Sequence, residues 1–138
     1  IPNNQGNTSF ALARFPDSLS TEDYLAQYKF RYNYTNVTSA GTFKMSADTY
    51  LVPNEWIIDA VNLCPRSAYQ WTAVATELDG GYTYVGELGS DKTRFGKSVR
   101  RKILYTKGTR HILQDTNNST YDFRPAQTAD PHYFANQE

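Results

Sequence analysis

Turn-forming residues interrupt this chain at short intervals, and this spacing limits the folds open to it more than any other feature. Glycine, proline, asparagine and threonine recur roughly every ten residues, which leaves room for strands of ordinary length but not for long helices. The 138 residues also include eleven Tyr, seven Phe and two Trp, a composition typical of a packed core rather than of disorder. We therefore predict a β-rich α+β fold, a mainly antiparallel sheet or sandwich of about seven to eight strands with one or two short helices.

The length of the chain predicts its domain organisation. A chain of 138 residues fits one domain with a single core, so we predict a single domain over residues 1–138. Within it, the polar residues 1–8 predict an extended N-terminal arm, and residues 126–138 predict an irregular C-terminal tail. No apolar run approaches the roughly 20 residues of a membrane span, so the sequence predicts a soluble protein with no membrane span.

The clearest strand signal is an aromatic alternation that begins at Tyr28. Phe30, Tyr32 and Tyr34 follow at every second position, with basic or polar residues between them, so aromatic and polar side chains occupy opposite faces of one strand. Residues 42–52 resume the strand pattern and predict a hairpin with it. The aromatic face has two interpretations: it packs inward as core, or it stacks the bases of a single-stranded nucleic acid.

Shorter patterns predict the remaining elements. Residues 9–15 predict a strand, residues 20–27 begin with a capping residue and predict a short helix, and near-helical spacing predicts a second helix from about Glu55 to Leu63. Asp79-Gly80-Gly81 predicts a hairpin turn between strands 68–78 and 82–88.

The last third of the chain predicts three further strands, over residues 97–106, 110–115 and 120–124. The turn between the first two lies at 107–109. A β-bulge near Arg100 and Arg101 would direct Val99, Ile103 and Tyr105 inward and leave both arginines in solvent.

One segment concentrates the positive charge of a formally neutral chain. From Lys92 to Arg110 it holds eight of the fourteen basic residues and no acidic one. The sequence therefore predicts a basic surface for RNA or another polyanion, because phosphate contacts need clustered Lys and Arg. The predicted anchors are Arg100, Arg101, Lys102 and Arg110, the predicted rim is Lys92, Arg94, Lys97 and Lys107, and the candidate stacking residues are Tyr32, Tyr34 and Tyr105.

The same charge separation favours self-assembly. A positive segment and a negative remainder attract head to tail between copies of the chain. We therefore predict a non-enzymatic structural or interaction protein, a coat, shell or fibre type of subunit, with RNA and copies of itself as partners. An extracellular or virion-like location fits this prediction better than a cytoplasmic one.

Two alternatives remain open from the sequence. A small ribonuclease-like hydrolase would use His111 with a carboxylate such as Glu77 or Glu87, and a β-barrel would enclose an apolar ligand. The single cysteine, Cys64, is predicted to be buried and inert. No phosphate-loop or metal-ligand spacing is present, so we expect no catalytic residue, no metal and no cofactor.

Overall fold

A computed structural model describes Gly6 and residues 8–133 of the chain. These residues form ten strands and two α-helices, and four of the strands are only two to four residues long. In chain order they are β1 (Phe10–Ala13), α1 (Thr21–Gln27), β2 (Lys29–Thr38), β3 (Gly41–Tyr50), β4 (Ile57–Val61), β5 (Leu63–Cys64), β6 (Thr83–Tyr84), β7 (Lys97–Arg101), β8 (Ile103–Lys107), β9 (Arg110–Leu113), α2 (Ser119–Asp122) and β10 (Phe123–Thr128).

The strands pair two by two. The pairs are β1–β4, β2–β3, β5–β6, β7–β10 and β8–β9. β2–β3, β7–β10 and β8–β9 are antiparallel, whereas β5–β6 is parallel. The prediction of a β-rich, mainly antiparallel fold with short helices is confirmed. Among the described residues, no helix is long and apolar enough to cross a membrane.

The chain divides into two compact units. The smaller unit is Ala13–Ile58, and the larger unit comprises Ile1–Leu12 and Asp59–Glu138. The smaller unit is built on α1 and the β2–β3 hairpin. Ser20 caps α1 as predicted, since its hydroxyl accepts a hydrogen bond from the Asp23 amide. Tyr24 on α1 lies within an aromatic cluster, with its ring centroid 4.9 Å from Phe15 and 5.3 Å from Tyr28.

The β2–β3 hairpin exposes both of its faces. Its register places Tyr32 opposite Ala47 and Tyr34 opposite Met45, so one face is apolar. Five large side chains on that face are each between 41 and 47% exposed. We call them the aromatic face: Phe30, Tyr32, Tyr34, Phe43 and Met45. The hairpin is confirmed. The interpretation that its aromatic residues pack inward as core is wrong, because they are exposed.

The larger unit has a polar centre. Among its described residues the buried apolar side chains are Ala60, Cys64 and Pro65, whereas the polar residues Asn62, Asp79 and Ser119 are each at most 2% exposed. The Asp79 carboxylate accepts hydrogen bonds from the backbone amides of Asn62 at 2.7 Å and Ser119 at 2.7 Å. It also accepts from the Gly81 amide at 3.0 Å. One carboxylate therefore joins three distant segments of the chain.

The predicted helix from Glu55 to Leu63 is wrong. A single 3-10 turn over Asn54–Trp56 leads directly into β4, Ile57–Val61. Three β-branched residues within the five of β4 favour the extended backbone. The spacing of apolar residues in so short a run fits a strand as well as a helix.

The predicted hairpin around Asp79-Gly80-Gly81 is also wrong. Residues 68–78 contain no strand. β6 pairs in parallel with β5 and not as the second strand of an antiparallel hairpin. Asp79 is turned into the polar centre, where it meets donors from residues 62 and 119. These non-local hydrogen bonds outweigh the local turn preference.

The last third of the chain differs from the prediction in two places. The strand predicted over 97–106 is divided at Lys102, so that β7 pairs with β10 and β8 with β9. The strand predicted over 120–124 begins as the short helix α2, which Asn118 caps by accepting a hydrogen bond from the Thr120 amide. The predicted turn at 107–109 and the returning strand are confirmed.

The predicted terminal segments overlap residues that the structure does not describe. The arm predicted over residues 1–8 lies outside the described residues except for Gly6 and Thr8. Gly6 is buried, and its carbonyl accepts a hydrogen bond from the Gln70 amide at 2.9 Å. Of the tail predicted over 126–138, the first residues up to Thr128 belong to β10, and residues 134–138 lie outside the described part.

Candidate nucleic-acid interface

The basic side chains of the segment differ in exposure and in their contacts, so they do not form one continuous surface. Arg94, a predicted rim residue, is 2% exposed. Its guanidinium donates to the backbone carbonyls of Leu88 and Gly89. Gly86 makes room for it, because a Cβ at Gly86 would lie 2.3 Å from Arg94 Cγ. Arg94 therefore stabilises the loop around it. Because it is buried, it does not belong to the rim of the predicted RNA-binding surface.

Arg101, a predicted anchor, is also used within the fold. Its side chain is only 16% exposed and forms salt bridges with Asp59 at 2.7 Å and Asp115 at 3.2 Å. Its guanidinium lies 4.9 Å from the centre of the Phe123 ring. The expected bulge would have directed both Arg100 and Arg101 into solvent. That expectation is wrong for Arg101, because two carboxylates neutralise it inside the larger unit.

Arg100 and Lys102 are half-buried and line a small cleft. Arg100 donates to the Thr128 carbonyl at 3.1 Å and lies 3.4 Å above the Tyr133 ring. The Lys102 ammonium donates to the Tyr121 carbonyl at 2.5 Å. Arg124 on β10 stands directly opposite Arg100 on β7. We call this feature the arginine cleft; it is lined by Arg100, Arg101, Lys102, Ile103, Arg124 and Tyr133.

The exposed basic residues of the segment lie elsewhere. Lys107 and Arg110 form the cross-strand pair next to the tight turn of the β8–β9 hairpin. Side chains two residues apart on a strand share a face, so Tyr105 stands beside Lys107. Tyr105 is 54% exposed. We call Tyr105, Lys107 and Arg110 the basic hairpin face. Lys92 and Lys97 are exposed too, on the 3-10 turn 92–94 and at the start of β7.

The other two predicted stacking residues belong to the smaller unit. The ring centroids of Tyr32 and Tyr34 lie 5.6 Å apart on the aromatic face of the β2–β3 hairpin. Arg31, on the opposite face, forms a salt bridge with Asp48 at 3.3 Å. Tyr105 is thus the one predicted stacking residue that shares a strand face with basic residues of the segment.

The residues considered for catalysis have structural contacts. His111 Nδ1 and the Thr106 hydroxyl are 3.0 Å apart across the β8–β9 hairpin. Glu87 forms a salt bridge with Arg66 at 3.2 Å. Burial raises the pKa of the Cys64 thiol, which lowers its reactivity. Among the described residues, no group of three or more His, Cys, Asp or Glu side chains could hold a metal ion.

Two sets of residues were missed by sequence reasoning. Arg124 joins the arginine cleft because β10 pairs with β7, although the two are separated by the whole β8–β9 hairpin and α2. Asp79, Asn62 and Ser119 form the polar centre. The set at the arginine cleft has no local sequence signal. For the polar centre, the run Asn117-Asn118-Ser119 could have suggested a structured site, because Asn118 is a favoured helix cap.

Comparisons with known proteins place the chain in a family. A search of curated proteins found no match. The chain is similar in fold to a crystal structure of a DUF4876 family protein from Bacteroides thetaiotaomicron VPI-5482, with a TM-score of 0.58 and 22% sequence identity. The similarity covers 90% of this chain and 32% of that chain, so the chain spans about a third of the length of the solved protein. The family model described as protein of unknown function (DUF4876) matches residues 1–130, and the chain therefore belongs to the DUF4876 family.

Proposed function

We propose that this chain is a non-enzymatic interaction module whose basic hairpin face binds a polyanion, with single-stranded RNA as the partner that fits best. The observation that carries the proposal is the exposure of Tyr105 on the same strand face as Lys107 and Arg110. An aromatic ring beside two cations supplies both a stacking surface for a base and charges for the neighbouring phosphates. A polyanion without bases would use only the charges.

The state of the basic side chains supports this choice of surface. Arg94 and Arg101 are occupied within the fold, whereas Lys107 and Arg110 are exposed. Within the described part of the chain, neither Lys107 nor Arg110 forms a salt bridge. A partner can therefore bind these two charges without breaking a salt bridge of the described residues.

Fluorescence anisotropy with a labelled oligouridine tests the proposal. Tyr105→Ala removes the stacking surface and is expected to cost about 1–3 kcal/mol of affinity, a roughly 5- to 150-fold weaker Kd. The matched control is Tyr121→Ala, because Tyr121 is also a solvent-exposed tyrosine of the larger unit, at 64%. Equal affinities of these two variants would overturn base stacking. Absence of RNA binding by the parent chain would overturn the proposal as a whole.

Comparing the binding of RNA with that of a base-free polyanion separates RNA recognition from polyanion binding in general. Dextran sulfate carries repeated negative charges but no bases, so Tyr105→Ala should leave its binding unchanged while Lys107→Gln with Arg110→Gln weakens it. If Tyr105→Ala weakened the binding of both polymers equally, the tyrosine would not act through base stacking.

We propose self-association as a second function, because the β2–β3 hairpin exposes the aromatic face. A two-stranded hairpin is marginally stable by itself, and exposed apolar strands with unpaired edges favour pairing with another chain. A second copy is the occupant we favour, since the formally neutral chain separates its positive segment from a negative remainder and so complements itself.

Sedimentation velocity tests this: the parent should form dimers or larger species, and Tyr32→Ser with Phe43→Ser should be monomeric. A monomeric parent at high concentration would contradict it.

A further inference from the structure

Three cationic side chains that line the arginine cleft, Arg100, Lys102 and Arg124, have no carboxylate partner among the described residues. Arg100 and Arg124 are directly opposite on the antiparallel strands β7 and β10, so their side chains lie on the same face of the pair. Lys102 lies two residues beyond Arg100 and lines the same cleft, together with Arg101 and Ile103. The guanidinium of Arg101 is already paired with Asp59 and Asp115, so it is not counted among the three. Within the described part of the chain, none of the three forms a salt bridge.

This arrangement is unfavourable unless an anion occupies it. Like charges directly opposite on neighbouring strands destabilise the pair. The contacts that the cleft does contain hold two of the cations in position. Arg100 is fixed by the Thr128 carbonyl and by the Tyr133 ring 3.4 Å from its guanidinium carbon. Lys102 is fixed by the Tyr121 carbonyl. Each uses only one of several N–H donors in these hydrogen bonds, so donors remain for a ligand.

The size of the cleft selects the ligand. Its volume is about 30 Å³, where a single water needs roughly 10–15 Å³. A group of a few heavy atoms fits, whereas a whole nucleotide does not. Two arginines present planar forks of N–H donors, the geometry that matches the oxygens of phosphate and sulfate.

We infer that the arginine cleft is a binding site for one tetrahedral oxyanion, either free or as the terminal group of a larger molecule. The site shares no residue with the basic hairpin face and does not depend on RNA binding. Arg100 and Lys102 are held in place and donate N–H hydrogen bonds to the anion. Arg124, which is exposed, donates to it from the opposite strand.

Thermal unfolding at constant ionic strength tests this inference, with inorganic phosphate, sulfate and methyl phosphate each replacing chloride. Each anion that binds should raise the Tm of the 138-residue chain, because binding to the folded state alone stabilises it. Arg124→Gln should lose most of that rise. In chloride the same variant should melt at or above the parent temperature, since it removes the repulsion with Arg100. Arg124→Lys, which keeps the charge but not the fork, should retain part of the rise.

Lys44→Gln is the control, because it removes one exposed positive charge that belongs neither to the cleft nor to the basic hairpin face. It should keep the full rise in Tm. A rise with methyl phosphate would assign the site to a phosphate group carried by a larger molecule, whereas a rise confined to the inorganic ions would assign it to a free anion. Calorimetric titration with inorganic phosphate should give a Kd at least tenfold weaker for Arg124→Gln. No rise for any anion, or equal rises for the parent and Arg124→Gln, would overturn the inference.

Discussion

Asp79 connects three segments of the larger unit through its side chain. Its side chain is 1% exposed, and its two carboxylate oxygens accept hydrogen bonds from Asn62, Gly81 and Ser119. Backbone amides provide three of these donors. A buried carboxylate is stable only when such donors replace its hydration, so this side chain and its donors stabilise the fold as a set.

Asp79→Asn should therefore destabilise the chain severely. The substitution keeps the shape of the side chain but turns an NH₂ group toward donors, which leaves buried amides without an acceptor. We expect a loss of about 3–5 kcal/mol in the free energy of unfolding, measured by urea denaturation followed by circular dichroism. Asp17→Asn, at an exposed position, should change it by less than about 0.5 kcal/mol. A similar small change for Asp79→Asn would show that the carboxylate is dispensable.

At the scale of elements, α2 and the loop before it are held by a second buried carboxylate. Asp122 Oδ2 accepts from the backbone amides of Thr116 at 2.8 Å and Asn118 at 3.1 Å. Its other oxygen accepts from the Thr116 hydroxyl and the Gln114 amide group. Burial raises the pKa of Asp122, but the hydrogen bonds from Thr116, Asn118 and Gln114 outweigh it, so the net pKa lies below the ordinary value of 3.8.

The lowered pKa of Asp122 makes α2 sensitive to acid. A carboxyl group with a lower pKa in the folded state stabilises the fold above its unfolded pKa, and this stabilisation is lost as pH falls through the folded pKa. The urea midpoint of the parent should thus fall more steeply below about pH 4 than that of Asp122→Asn, which should be less stable than the parent at pH 7. Parallel pH profiles for Asp122→Asn and the parent would contradict this assignment.

How far the sequence predicts the elements depends on the range of their contacts. The cap at Ser20, the aromatic alternation of β2 and the turn at Gly108 act within a few residues, and all three were predictable. The position of the Asp79 side chain, the inward direction of Arg101 and the pairing of Arg124 with Arg100 depend on partners between 14 and 42 residues away. Local propensity does not act over such separations. The basic segment could therefore be recognised from its composition, but which of its side chains would be exposed could not.

At the scale of the whole molecule, the segregated charges predict how RNA binding responds to salt. Binding of single strands releases counterions, and the slope of log K against log salt is about −0.7 per phosphate neutralised. If Lys107 and Arg110 each contact one phosphate, Lys107→Gln with Arg110→Gln should make this slope less steep by about 1.4. Anisotropy titrations over a range of potassium chloride concentrations measure the slope.

The control for the salt prediction comes from the smaller unit. Lys44 is an exposed lysine of β3, and Lys44→Gln removes one positive charge that is not part of the basic segment. Its slope should equal that of the parent chain. A slope reduced as much by Lys44→Gln as by removal of one cation of the basic hairpin face would indicate a diffuse response to net charge.

The hydrogen bonds of Asp79 also set an order of events during biosynthesis. Its earlier donor, Asn62, lies 17 residues before it, whereas Ser119 lies 40 residues after it. A ribosome adding about 5–20 residues per second needs roughly 2–8 s to cover those 40 residues. For that interval the nascent chain carries a carboxylate that lacks its last donors and so retains its water. The larger unit can close only after residue 119 has emerged, so its folding follows the synthesis of the segment that contains Asp79 instead of accompanying it.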